Sequence, residues 1–169
     1  MVPQAAEVFR RPDLKHYNGV SGSVMPIPAV ATLYNTDLAE WADTQAHALE
    51  CRDTLHLDWD NLAEEIRALS RSDRRAIESH LKTILLHLIK WERQPELRSN
   101  SWKLSIRNGR HAIRKLVAES PSLRRYPAEV HAEALADAYA DALLEMGLED
   151  PQPFTNFSLE QTLNPEFLP

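Results

Sequence analysis

The sequence predicts an all-α fold, a single-domain helical bundle of about five main helices with an extended N-terminal arm. Three observations carry this expectation. Apolar residues recur at steps of three and four over five separate stretches. No stretch alternates apolar and polar residues between turn signals, so no sheet is expected. Only 4 glycines occur in 169 residues, too few for a hairpin-rich β fold or a glycine-rich phosphate cradle.

Residues 1–32 read as the arm. Pro3, Pro12, Pro26 and Pro28 interrupt any helix, and Val24 to Val30 is apolar enough to dock as an extended strip. Residues 33–169 form the bundle domain. Its first helix is expected over 37–52 with Thr36 as N-cap, and Tyr34, Leu38, Trp41, Gln45, Ala48 and Leu49 share one face. The second, over 58–69, aligns Trp59, Leu62, Ile66 and Leu69. Ser70 or Ser72 then caps a third helix over 73–94, whose wide apolar face (Ile77, Leu81, Ile84, Leu85, Leu88, Trp91) marks it as central. Ser99 and its neighbours cap a fourth over 100–119, with Trp102, Ile106, Gly109, Ile113 and Leu116 inward. The fifth covers 128–146 and ends on Gly147 as a left-handed cap. Ser158-Leu159-Glu160-Gln161 spells a capping box and a short last turn.

The net charge of −6 conceals a segregation: 37–66 carries −8, 67–125 carries +10 and 126–169 carries −9. A basic stretch between two acidic ones fits helices pairing inside one bundle, or a patch awaiting an anion. On the fourth helix Lys103, Arg107, Arg110 and Arg114 form one ridge, and on the fifth Glu129, Glu133, Asp137, Asp141 and Glu145 recur every four residues. If the two helices are antiparallel neighbours, the ridges zip together. If not, Lys103, Arg107, Arg110 and Arg114 are the candidate anion-binding set.

A second candidate lies on the apolar stripes. Glu65 sits between Leu62 and Leu69, while His80 and His87 share a ridge with Ile84 and Trp91. Were the second and third helices antiparallel neighbours, Glu65 and His87 would meet in the core. Such a pair is a buried structural hydrogen bond, an acid–base couple, or part of a metal site with Glu65, His80 and His87 as ligands. The seven-residue spacing sets the two histidines ~10.5 Å apart along the helix, too far for both to hold one ion. Asp58, Asp60 and Glu64 are expected to stabilise a helix N-terminus. Cys51 has no base beside it in sequence, so activation is not suggested.

Several words occur in order: Leu33-Tyr34-Asn35-Thr36-Asp37, then Leu57-Asp58-Trp59-Asp60-Asn61-Leu62-Ala63-Glu64-Glu65-Ile66, Ser70-Arg71-Ser72, His87-Leu88-Ile89-Lys90-Trp91, Gln94-Pro95, Arg98-Ser99 with Ser101-Trp102, and Pro165-Glu166-Phe167-Leu168-Pro169. Together they resemble the bacterial family called domain of unknown function 29, over about Leu33 to Pro169. The resemblance implies an all-helical bundle and no established activity.

No apolar run approaches the ~20 residues of a membrane span, no signal peptide precedes the chain, and the single thiol suits a reducing compartment. The expectation is therefore a cytoplasmic protein with no membrane partner. Without catalytic spacing or a nucleotide loop, the reading is a non-enzymatic protein-interaction module, acting on a protein partner or on itself, with no cofactor. The alternatives are a metal-dependent or acid–base enzyme using Glu65 and His87, and a nucleic-acid binder using the basic 67–125 segment.

Overall fold

A computed structural model describes residues 27–148 and 156–169. Among them every regular element is a helix: α1 Ile27–Thr36, α2 Leu38–Glu50, α3 Trp59–Arg93, α4 Asn100–Glu119, α5 Tyr126–Met146 and α6 Leu159–Leu163, with short 3-10 turns at Pro95–Leu97 and Pro121–Arg125. The fold is all-α, as the periodicity requires. The chain nevertheless divides into two compact units, Met1–Leu62 and Ala63–Pro169, where the sequence suggested one domain with an arm.

In the first unit α1 replaces the end of the expected extended arm. Pro28 is the second residue of that helix, where its missing N–H breaks no intrahelical bond. Residues 1–26 of the arm lie outside the described residues. The N-cap of α2 is Asp37, not Thr36; its carboxylate accepts from the Glu40 N–H at 3.0 Å. A small core gathers Trp41, Gln45, Ala48 and Leu57. Its polar groups are satisfied in place. The Trp41 indole donates to Asp58 Oδ2 at 3.3 Å, and the Gln45 amide takes the Asp58 N–H at 2.7 Å and donates to the His56 carbonyl at 3.3 Å. Asp58 also accepts from the Asn61 N–H, so it caps α3 as the acidic cluster suggested. Trp59, expected in the core, is 59% exposed.

The largest departure is α3. The second and third expected helices are one helix of 35 residues, roughly 52 Å long. Ser70 and Ser72 are good caps, but no Gly or Pro accompanies them, and serine inside a helix costs only tenths of a kcal/mol. With no antiparallel return at that point, Ile66 and Leu69 are left exposed rather than buried.

In the second unit, Ile77, Leu81, Ile84, Leu85, Leu88 and Ile89 of α3 are buried completely and form the centre of the core. α4 runs back along α3: Trp102 stacks on His87, and Gly109 lies against Ile84. α5 runs in the same direction as α3, held by Tyr126 donating to Glu78 and by the pairs Lys82–Asp141 (2.8 Å) and Lys90–Glu145 (2.6 Å). The inward residues of α5 are chiefly Ala134, Leu135, Ala138, Tyr139 and Ala142, three alanines alternating with two larger side chains that fill the core. Gly147 closes α5 at φ 66°, and Ser158 and Gln161 form the expected capping box of α6.

Candidate anion-binding site

The acidic row of α5 does meet a basic ridge, but the ridge belongs to α3. Lys82 and Lys90 take Asp141 and Glu145, and among the described residues no base of α4 pairs with α5. The expected α4–α5 zipper is therefore corrected. These partly exposed pairs contribute ~0–1 kcal/mol each and serve mainly to set register.

The four cations of the α4 ridge have different fates. Arg110 is 4% exposed, and its guanidinium is wrapped by the C-terminal tail. Nε donates to the Thr162 carbonyl at 2.8 Å, Nη2 to those of Gln161 (3.2 Å) and Phe167 (3.0 Å), and Nη1 to that of Pro165 (3.4 Å). Burial pulls its pKa below the ordinary arginine value, since leaving water disfavours the charged form. Lys103 lies over the Trp91 ring at 5.2 Å. Arg107 and Arg114 are exposed and, like His111, have no bonded partner among the described residues. Lys103, Arg107, Asn108, His111 and Arg114 line a groove of about 600 Å³ whose floor includes Ile106 and whose far wall is Pro165 and Leu168 of the tail. Arg110 stands at the junction, holding that wall to the helix. The groove thus offers unpaired cationic donors beside apolar surface, an arrangement suited to an anionic group attached to an apolar body.

The other candidate set is not brought together. A continuous α3 holds Glu65 and His87 about six turns, or roughly 33 Å, apart. The antiparallel hairpin that was to join them does not exist, so Glu65, His80 and His87 form no acid–base couple and no common ligand set. Among the described residues no group of three or more His, Cys, Asp or Glu is placed to hold a metal ion. Cys51 does have a base: His47, one turn earlier on α2, brings Nε2 to 3.6 Å from Sγ, a neighbour that an i, i+4 inspection of the sequence would have found. Both side chains are exposed.

His87 stacks on Trp102 with ring centroids 6.3 Å apart, and its Nδ1 is buried without a hydrogen-bond partner. Burial first, and then the Lys90 charge, lower its pKa below 6.5. His131, whose Nε2 lies 3.0 Å from the Thr162 hydroxyl, is lowered by burial as well. Since that hydroxyl donates to the Ser158 carbonyl, His131 is the donor to it. Both imidazoles therefore hold a proton less readily in the folded chain than in the unfolded one, which protonates near 6.5. The unfolded state then binds more protons, so their contribution is complete above pH 6.5 and lost as pH falls from there through the depressed native values. Melting temperature is expected to drop between pH 7 and pH 5, and the drop to shrink in the His87→Gln, His131→Gln double variant; an equal drop in that variant would remove these residues as its source.

What these features define is an all-helical protein with a cationic groove built from one long helix and the C-terminal tail. The chain belongs to the family described as Domain of unknown function DUF29, whose family model matches residues 33–168. No curated protein and no solved structure matches it. Among the described residues no helix is long and apolar enough to cross a membrane.

Proposed function

We propose that the protein is a non-enzymatic interaction module whose α4 groove receives an acidic segment of a protein partner. The observation that carries this reading is the row Arg107, His111 and Arg114, three donor side chains without partners among the described residues, lining a groove that also has apolar walls. The apolar lining favours a protein segment over nucleic acid. A phosphate backbone would gain little from Ile106, Pro165 and Leu168, whereas a peptide can lay apolar side chains against them.

The test is fluorescence anisotropy with a labelled glutamate-rich peptide and, separately, a single-stranded oligonucleotide. Measurements are made at physiological ionic strength on the wild type and on the Arg107→Glu, Arg114→Glu double variant. Both positions are exposed, so the variant should fold. The peptide is expected to bind the wild type and to lose tenfold or more in the variant. No peptide binding overturns the reading, and tighter binding of the oligonucleotide replaces it with the nucleic-acid alternative.

A further inference from the structure

Beyond the groove, α4, the Pro121–Arg125 turn, the start of α5 and α6 line a second, half-open hollow of about 210 Å³, made by Ile113, Val117, Pro127, Leu159 and Leu163 with the exposed Arg114 and Arg124. The two hollows share Arg110 and Arg114, so they are consecutive stations along one surface. Arg124 is exposed and, like Arg114, has no bonded partner among the described residues. The second hollow is the more apolar one: five aliphatic residues line it, and the Arg110 guanidinium is already committed to tail carbonyls.

Resting on the reading above, we infer that this hollow is an anchor pocket and that the partner segment carries one bulky aliphatic side chain, of leucine size, flanked by carboxylates. The volume sets the size, since a leucine side chain fits ~210 Å³ with space to spare, whereas the 600 Å³ groove is too wide to grip a single residue. Charge complementarity sets the flanks. Arg114 lies between the two hollows and Arg124 at the rim of the second, so an acid on either side of the anchor meets a guanidinium able to bind it in a two-pronged fork. Acidity alone would let the groove bind any anionic chain. The anchor adds selection by shape, because a polar side chain entering the hollow gives up water and finds no hydrogen-bonding group on Ile113, Val117, Leu159 or Leu163.

The test compares two labelled seven-residue peptides on the wild-type protein. Each consists of aspartate and glutamate around a central residue, leucine in one and serine in its twin. The leucine peptide is expected to bind at least tenfold more tightly. Arg124→Ala, an exposed change, should weaken both peptides by a similar factor. Val117→Thr, which keeps the volume and adds a hydroxyl, should weaken the leucine peptide alone. Equal affinity of the two peptides overturns the anchor pocket while leaving the acidic-segment reading in place. Failure of both peptides to bind overturns both.

Discussion

Replacement of Arg110 by leucine is expected to cost about 2–4 kcal/mol of stability, read as a lower urea midpoint, because tail carbonyls, that of Thr162 buried and the others partly buried, lose a charged donor. The guanidinium serves four of them, at Gln161, Thr162, Pro165 and Phe167. Arg110→Lys keeps the charge but presents a single ammonium on a flexible stem, so it should recover only part of the loss. The released tail should also become the first site of limited proteolysis, near Asn164 to Leu168. An unchanged urea midpoint in Arg110→Leu would show that Phe157 and Phe167 packing and the His131–Thr162 bond hold the tail without the guanidinium.

Enlarging Gly109 is expected to have the next largest effect. A Cβ at this position would sit 2.8 Å from Ile84 Cγ1 and 3.2 Å from its Cδ1, with the His80 carbonyl at 3.4 Å. Ile84 is fully buried, and its Cγ1 is not a free end that can swing aside. Alanine gains up to ~1 kcal/mol of helix propensity over glycine, yet overpacking a well-filled core costs ~1–3 kcal/mol, so the net sign is destabilising. Gly109→Leu should reach about 3 kcal/mol or more by prising α4 from α3. The mechanism is checked by a double-mutant cycle: in an Ile84→Ala background the Gly109→Ala penalty should vanish or reverse. A penalty unaltered in that background would place the strain elsewhere.

These two residues also show what the sequence discloses and what it hides. Gly109 stands at an apolar step of the α4 stripe, so periodicity places it in the core without the structure. The caps at Ser99, Gly147 and Ser158 are legible for the same reason, being local chemistry acting over four residues. Arg110 has the local signature of a surface residue, and the ridge it shares with Lys103, Arg107 and Arg114 suggested ion pairs with α5. What draws it inward is the irregular tail around Pro165, where backbone carbonyls lack helical partners and require donors from elsewhere. Nothing within a helical turn of Arg110 announces that demand. The Glu65–His87 pair failed through a different cause. It depended on a break at Ser70–Ser72, and capping residues end a helix only when the chain has a reason to leave it.

The Arg110 clasp has a kinetic side. Its hydrogen bonds join positions 51 to 57 residues apart, whereas most contacts within α4 and α5 are local. Closing a loop of that size costs on the order of 3.5 kcal/mol of chain entropy, incurred before any of the four bonds is gained. The helices can therefore assemble first, with the tail arriving onto a scaffold already standing. The same order run backwards makes the tail the part that opens first. Its amides would exchange with solvent sooner than those of α3, and damage to the clasp would hasten unfolding far more than it slows folding.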